Sequence, residues 1–291
     1  MTPIFEVIVC GSLHLDIVVD SPHLPRLDET VPGTSWKKIC GGKGGNQAAM
    51  AAKAGARTAM IGCVGDDDFG RTLTANLAVN SINIDHVSVD ADHGTGMSVA
   101  IVERSGEYGA VIVSGSNLAL SPEKAAEAWQ ALGGANVLIV QNEIPEAVNI
   151  AVARAAKING GQVVLNAAPA RPISETLLDL VDVLVVNRVE AEMMSGMVVS
   201  DKISALNALP KLARPGQDAI ITLGGLGLVL QTKTKTTHFI EPHKILVKST
   251  HGAGDCFIGV LANALAHGAD ISTACTDANR SAAKFVSGVE F

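Results

Sequence analysis

Aromatic residues are scarce in this sequence. Phe, Trp and Tyr make up 3% of its 291 residues, whereas hydrophobic residues as a whole make up 47%. The core must therefore consist of Val, Ile, Leu and Ala, a composition typical of a parallel sheet flanked by helices. The chain is long enough to bury a large core, and α/β folds of about this length are often one domain.

Cysteine is also sparse, and long apolar runs are missing. The five cysteines are widely spaced and form no CxxC pair, which favours reduced thiols over a disulfide framework or a zinc site. No apolar run approaches the roughly 18 residues of a membrane-spanning helix, and the first residues lack the basic and apolar regions of a secretory signal. We therefore expect a cytoplasmic protein without a membrane partner.

Positive charge is in deficit, with 22 Lys and Arg against 29 Asp and Glu and a net charge of -7. Nucleic acids and anionic membranes are bound by basic faces, so neither is expected as a partner. The patterns GxxxxGK[ST], GxSxG and HExxH do not occur. Their absence argues against a P-loop, a hydrolase nucleophile elbow and a zinc-protease helix.

Strands and helices alternate from residue 121 onward, and polar or glycine residues follow the successive apolar strands. Because α/β sheets bind ligands at the carboxyl ends of their strands, we expect these residues to share one edge. Any one of them could instead be an ordinary cap or turn. The segments concerned are 12–16, 141–143, 166–170, 187–190 and 223–227.

Two segments interrupt the α/β pattern. Residues 17–40 and the hairpin-like pair around residues 96–113 show no helical period. We interpret them as one small β layer over the main sheet.

A glycine-rich run occupies residues 41–47, before a predicted helix over residues 48–56. Four glycines in five residues indicate a close backbone approach or positive φ, although a flexible turn would also explain them. Lys43 and Asn46 are candidates for facing a ligand, and an exposed lysine is the alternative. The aspartates at 66–68 could hold a cation, but helix capping is the better interpretation.

A second small-residue run, residues 251–257, follows a β-like stretch at 245–247 and precedes a predicted helix over residues 257–265. Backbone N–H groups at a helix N-terminus favour an anion, most often phosphate. Asp255 is unusual there, because a carboxylate repels phosphate. It makes sense as the group that takes a proton from an attacking hydroxyl, or else as a simple partner of the helix dipole.

Several motifs together resemble the ribokinase-like (PfkB) carbohydrate kinases. They are Gly41-Gly42-Lys43-Gly44-Gly45-Asn46-Gln47-Ala48, Ile61-Gly62-Cys63-Val64-Gly65-Asp66-Asp67, Asn166-Ala167-Ala168-Pro169-Ala170, Asn187-Arg188-Val189-Glu190 and Gly252-Ala253-Gly254-Asp255. The resemblance extends along nearly the whole chain. It implies a three-layer α/β/α fold with a mostly parallel central sheet and a small β-sheet lid, formed by residues 14–40 and 95–114 of one domain over residues 1–291.

The resemblance also implies roles for individual residues. Asp255 occupies the position of the family's catalytic base. Gly252, Ala253 and Gly254 occupy the positions of its anion hole. The sugar-binding positions are His14, Asp16, Gly42, Lys43, Asn46 and Glu143. The positions for ATP are Asn187, Thr222, Gly224, Gly227 and Asn279, and those for Mg²⁺, held through water, are Asn187 and Glu190.

This sequence departs from the family pattern at several positions. His14 stands where Asn is usual, Ala167 replaces a proline, and His251 and Cys256 replace threonines. The family's K⁺ site would fall near Ser249 and His251, but Ser249 replaces the usual Asp, so potassium activation is not firmly implied. The resemblance also implies a last helix, which is missing after residue 291, either because the chain is short by nature or because the sequence is truncated.

The function implied is phosphorylation of the primary hydroxyl of a pentose by ATP, with D-ribose the first candidate and a homodimer formed through the lid. A nucleoside kinase of the same family is one alternative, although it would need an apolar or stacking wall for the base. A sugar or nucleotide sensor without catalysis is the other.

Overall fold

The computed structural model describes residues 4–103 and 107–289, and the strands within these ranges form two sheets. The strands are β1 (Phe5–Cys10), β2 (His14–Ser21), β3 (Ser35–Gly41), β4 (Thr58–Gly65), β5 (Asn83–Asp90), β6 (Met97–Glu103), β7 (Tyr108–Val113), β8 (Ala135–Gln141), β9 (Gln162–Asn166), β10 (Val183–Asn187), β11 (Asp218–Thr222), β12 (Leu228–Gln231) and β13 (Thr237–Ile240).

The helices of the described ranges are α1 (Lys43–Lys53), α2 (Asp68–Val79), α3 (Pro122–Ala131), α4 (Glu146–Ile158), α5 (Glu175–Leu178), α6 (Arg188–Ser195), α7 (Lys202–Leu212), α8 (Ala253–Ala266) and α9 (Ile271–Ser287). Several begin with side-chain caps that the sequence shows plainly. Asp67 caps α2 by accepting from the N–H of Gly70, which confirms the capping interpretation of the aspartates at 66–68. Across both described ranges, no helix combines the length and apolarity that crossing a membrane requires.

The central sheet has nine strands in the order β13-β12-β11-β10-β9-β8-β1-β4-β5. Neighbours from β11 to β5 are parallel, and β12 and β13 add an antiparallel edge. The parallel strands are short apolar runs because both of their faces are covered. In β1, for example, the side chains of Val7 and Val9 pack on one face and those of Ile8 and Cys10 on the other, all completely buried.

Helices cover the two faces of this sheet and give the three layers. Side chains of α3, α4, α5, α6 and α7 pack on one face, around the fully buried Trp129. Side chains of α1, α2, α8 and α9 pack on the other. The two clusters consist almost entirely of aliphatic residues, as the low aromatic content predicted.

The second sheet has four strands in the order β3-β2-β6-β7. β2 pairs in parallel with β6, and the other two pairs are antiparallel. The two segments that interrupt the α/β pattern thus form one small β layer, as predicted. Residues 104–106, where the hairpin-like pair was predicted to turn, lie outside the described residues.

Two sequence-based assignments need correction. α1 begins at Lys43 and α8 at Ala253, directly after the N-caps Gly42 and Gly252. The later residues of each glycine motif therefore form a first helical turn rather than a loop before the helix. The predicted β-like stretch at 245–247 was wrong: it is not a strand, and Leu246 is 83% exposed. A strand needs a hydrogen-bonding neighbour, which apolar composition alone does not provide. The next residue, Lys248, bonds to α9 instead: its N–H donates to the carbonyl of Val286 at 2.8 Å.

Candidate active site

A cavity of about 990 Å³ lies between the small sheet and the carboxyl ends of the central strands. Four of the five polar segments predicted to share this edge contribute residues to the cavity, and the fifth, residues 223–227, does not. The predicted residues that line it are His14, Asp16, Gly42, Lys43, Asn46, Glu143, Asn187, Glu190, Thr222, Ser249, His251, Gly252, Gly254 and Asp255.

Four predicted residues are not part of this lining. Ala253 lies in the first turn of α8, between two residues that do line the cavity. Gly224 and Gly227 flank a short 3₁₀ turn, and a Cβ on Gly227 would lie 2.3 Å from the carbonyl oxygen of Ile240. Asn279 donates from Nδ2 to the carbonyl of Glu241 at 2.9 Å. The roles of these four residues in the anion hole and in ATP binding stay predictions.

The start of α1 is pressed against the end of β1. A Cβ on Gly44 would lie 2.6 Å from backbone atoms of both Gly11 and Ser12, closer than real Cβ contacts come. Gly42, the N-cap of α1, has a φ of 85°. The glycines are therefore required by close approach and by positive φ, and a flexible turn is excluded.

This close approach brings Glu143, which follows β8, to the first turn of α1. Its carboxylate accepts from the N–H of Lys43 at 2.9 Å and from the Ser12 hydroxyl at 2.5 Å. Both bonds go to the same carboxylate oxygen, Oε2, so Oε1 can accept from a ligand in the cavity. An ionised carboxylate at a helix N-terminus is also stabilised by the helix dipole.

The small sheet supplies a second carboxylate and an apolar wall. Asp16 on β2 accepts a hydrogen bond from the hydroxyl of Ser98 on β6, the residue with which it pairs in the sheet. Alternate residues along the four strands face the cavity, as the period of two demands. The apolar ones are Val18, Ile39, Ala100, Val102, Ala110 and Ile112.

His14 occupies the first position of β2 and is only 5% exposed. Its Nε2 atom is buried without a hydrogen-bond partner within the described residues. The ring lies directly beside Gly96, where a Cβ would come within 2.4 Å of it. An imidazole at this position can donate or accept a hydrogen bond, but it cannot offer both a carbonyl and an amine as the usual Asn does.

Asp255 lies in the first turn of α8 and is 9% exposed. Its Oδ2 accepts from Nδ2 of Asn46 at 3.0 Å, and its Oδ1 accepts from Nε2 of Gln47 at 2.9 Å. Burial raises the pKa of the Asp255 carboxyl, and this outweighs the lowering by Lys43 and by the two amides. A carboxyl with a raised pKa, held in a cavity beside a helix N-terminus, has the properties of a general base.

Asn187 and Glu190 form a capping box at the start of α6. The Glu190 carboxylate accepts from the backbone N–H of Asn187 at 2.6 Å and from its Nδ2 at 2.8 Å. Burial raises the pKa of Glu190, while the bonds to Asn187 and the charge of Lys43 lower it. Both side chains line the cavity, so the cap of α6 also presents an acidic group to whatever the cavity binds.

Ser249 and His251 also line the cavity, but they are exposed and lie before α8. The N–H of His251 donates to Oγ of Ser249 at 3.3 Å. Neither side chain carries a negative charge, so the carboxylate that the family usually places at position 249 has no substitute in this pair.

Three residues of the site were not assigned a role from the sequence. Ser12 bonds to Glu143 across 131 positions, Ser98 to Asp16 across 82 and Gln47 to Asp255 across 208. Such contacts leave no local pattern. Gln47 was visible only as a member of the glycine-rich motif.

The geometry agrees with the comparisons to known proteins. The family profile described as "pfkB family carbohydrate kinase" matches residues 5–289. The chain belongs to this family. It is 35% identical to the ribokinase of Haemophilus influenzae over 258 residues, which cover 88% of this chain and 84% of the relative. It is 34% identical to the ribokinase of Mus musculus over 269 residues, covering 91% and 83%.

Solved structures give the same result. The Arabidopsis thaliana ribokinase complexed with ribose and ATP superposes with a TM-score of 0.88 at 28% identity, covering 98% of this chain and 93% of that one. A nucleoside kinase of Methanocaldococcus jannaschii has a TM-score of 0.80 at 18% identity, covering 98% and 93%, which shows a shared fold alone. The predicted family and fold class are confirmed, and the chain is a phosphotransferase that acts on an alcohol group.

Proposed function

We propose that this chain is an ATP-dependent kinase that converts D-ribose to D-ribose 5-phosphate. The observation that carries the proposal is the Asp255 carboxylate, held at the N-terminus of α8 inside a cavity that also contains Asp16 and Glu143. Carboxylate oxygens suit a polyol because they accept hydrogen bonds from hydroxyls. The similarity to curated ribokinases supports ribose as the sugar.

Each element of the reaction has a candidate residue in this site. The sugar oxygen forms a bond to the γ-phosphorus, the bond from that phosphorus to the β–γ bridging oxygen breaks, and ADP leaves with the electron pair. Asp255 takes the proton of the sugar hydroxyl, a role that contributes about 10²- to 10⁴-fold. Backbone N–H groups at Gly252, Ala253 and Gly254, together with the dipole of α8, stabilise charge on the transferring group.

The residues present fit a Mg²⁺ ion held through water. Both Glu190 oxygens already accept hydrogen bonds from Asn187, and each keeps a lone pair that can accept from a metal-bound water. Mg²⁺ retains several waters and is usually bound through few carboxylates and the substrate phosphates. When bound, the ion neutralises charge on the phosphates. For K⁺, the uncharged Ser249 and His251 offer a weaker site, and we propose that potassium has little effect.

A nucleoside kinase is the second candidate, and one observation favours it. The cavity face of the small sheet is an aliphatic wall, from Val18 on β2 to Ile112 on β7. Such a wall could pack against a base, although the six apolar residues named above for this wall include no aromatic side chain for stacking. Ribose remains the better proposal, because the curated relatives at 31–35% identity are ribokinases.

We also propose that residues 1–291 form one domain with the small sheet as its lid. Two copies of this chain would associate in the cytoplasm as a homodimer through that sheet. The face of the sheet opposite the cavity is apolar and exposed: Trp36 is 64% exposed, Val111 69% and Val113 52%. An exposed apolar patch of this kind marks an interaction surface. Val111→Glu should therefore shift the mass in sedimentation from dimer to monomer, and a wild-type chain that is monomeric at micromolar concentration would contradict the proposal.

The test of the catalytic proposal is ADP release from ATP and Mg²⁺ with D-ribose, other pentoses, hexoses and ribonucleosides. Wild-type chain should turn over fastest with D-ribose, and Asp255→Asn should bind ribose and ATP without turnover. Preference for a ribonucleoside would favour the second candidate. Binding of sugar without ADP release by the wild-type chain would identify a sensor and contradict both kinase proposals.

A further inference from the structure

Two consecutive side chains of α1 hold the two oxygens of Asp255. Nδ2 of Asn46 donates to Oδ2 at 3.0 Å and Nε2 of Gln47 to Oδ1 at 2.9 Å. The two amides differ in their surroundings. Asn46 lines the cavity, whereas Gln47 is completely buried. The carboxylate therefore has an inner oxygen, Oδ1, and an outer oxygen, Oδ2, that lies towards the cavity.

We propose that Gln47 is a positioning residue for the catalytic base: it fixes Oδ1 of Asp255 in the interior, so that Oδ2 is the oxygen that takes the proton of the sugar hydroxyl. This inference rests on the kinase function proposed above. Gln47 does not line the cavity, but in this role it affects the reaction through Asp255.

The geometry of proton transfer explains why such a residue is needed. A general base must present a lone pair to the hydroxyl at about 2.6–3.2 Å in the reactive complex. A carboxylate bound at only one oxygen can rotate about its Cβ–Cγ bond. The Gln47 bond on the far side of the group prevents that rotation. Oδ2 can accept from the sugar hydroxyl beside Asn46 or in its place, because a carboxylate oxygen has more than one acceptor site.

The second polar atom of Gln47 shows that packing alone does not account for this residue. Its Oε1 is buried and has no hydrogen-bond partner within the described residues. A buried polar atom without a partner destabilises a fold, and an apolar side chain of the same size would avoid that cost. The presence of an amide at position 47 is therefore explained by its Nε2 donor, which binds the Asp255 carboxylate.

The donor also affects the charge state of the base. Among residues 4–103 and 107–289, the other ionisable groups that act on Asp255 are Lys43 on α1, which lowers its pKa, and Glu143 after β8, which raises it. On α8 itself the next residue is Cys256, whose thiol pKa Asp255 in turn raises. The Gln47 bond stabilises the ionised carboxylate, so its removal must raise the pKa of Asp255 further. Since the base works only when ionised, activity should then be lost at a higher pH.

The experiment compares wild-type chain, Gln47→Leu and a matched control, Gln217→Leu, in the full protein with D-ribose, ATP and Mg²⁺. Gln217 is also a buried glutamine, and its Nε2 donates to the carbonyl of Val181 at 3.0 Å. It directly precedes β11, so it lies at the amino ends of the parallel strands, whereas the cavity lies at their carboxyl ends. We expect Gln47→Leu to move the acid limb of the kcat profile upward by about one pH unit or more. At neutral pH kcat should fall at least tenfold, with the KM for ATP unchanged.

Gln217→Leu should lower the melting temperature without moving the acid limb. Should Gln47→Leu fail to fold, Gln47→Met replaces it, since Met adapts to irregular space without adding a donor. An acid limb that stays in place in the folded Gln47 variant, or moves equally in Gln217→Leu, overturns the positioning role and leaves the kinase proposal intact. A wild-type chain without turnover overturns both.

Discussion

The close contact between α1 and β1 can be tested by adding one methyl group at Gly44. A Cβ there would lie 2.6 Å from the carbonyl carbon of Gly11 and 2.6 Å from the backbone nitrogen of Ser12. Both neighbours are backbone atoms of a buried segment, so neither can rotate away. To reach an ordinary contact of 3.4 Å, the start of α1 must retreat by about 0.8 Å.

That displacement has two measurable consequences. Overpacking of this kind costs about 1–3 kcal/mol, which lowers the melting temperature by roughly 2 to 10 °C. The same helix turn carries the N–H of Lys43 that binds Glu143 and the amides that bind Asp255. A misplacement of about 1 Å in such groups can cost 10²-fold in rate. We therefore expect Gly44→Ala to lose about two orders of magnitude in kcat/KM for the sugar while it remains folded.

The control is Gly109→Ala on β7, whose Cβ would come no closer than 3.8 Å to the side chain of Leu24. Thermal unfolding and steady-state kinetics of both variants, measured side by side, decide the matter. If Gly44→Ala keeps the melting temperature and kcat/KM of Gly109→Ala, α1 is not held by this contact. Close approach to β1 would then be refuted as the reason for the glycine at position 44.

Three further predictions concern single side chains of the site. Burial raises the pKa of the Asp255 carboxyl, so its contribution to stability is complete below the unfolded pKa and is lost as pH rises through the folded pKa. Asp255→Asn removes the buried charge that is present at high pH and should therefore raise the melting temperature at pH 7–8. A gain in melting temperature that persists undiminished at pH 4 would contradict this. Glu190→Gln should raise the Mg²⁺ concentration needed for half-maximal ADP release, and an unchanged Mg²⁺ titration would remove Glu190 from the metal site. Ser249→Asp should create activation by K⁺, measured as ADP release with and without the ion; a variant as indifferent to K⁺ as the wild-type chain would refute the role proposed for position 249.

Much of the fold followed from local patterns. The alternating apolar runs predicted the parallel sheet, and their polar ends predicted the edge at which the cavity lies. Helix starts were less clear. The sequence predicted that α1 begins at Ala48, because glycines disfavour a helix. The helix begins at Lys43 instead, and its glycines are required by the close contact with the end of β1.

The remaining parts depend on contacts that the local sequence does not contain. The apolar residues at 245–247 suggested a strand, yet they have no strand partner within the described residues and stay on the surface. The bonds from Ser12 to Glu143 and from Gln47 to Asp255 join residues that only the folded sheet brings together. The small-residue run at 251–257 already indicated Asp255, and the family resemblance supplied the role of Glu143. The side chains that hold these two carboxylates became visible only in the structure.

Phosphorylation of the ribose 5-hydroxyl is tested most simply by identifying the product with ³¹P and ¹³C NMR after incubation of the wild-type chain with ATP, Mg²⁺ and D-ribose. We expect ADP and D-ribose 5-phosphate in equal amounts, with phosphorus coupled to C5 and no product from Asp255→Asn. Phosphate on another hydroxyl, or no transfer to ribose at all, would contradict it.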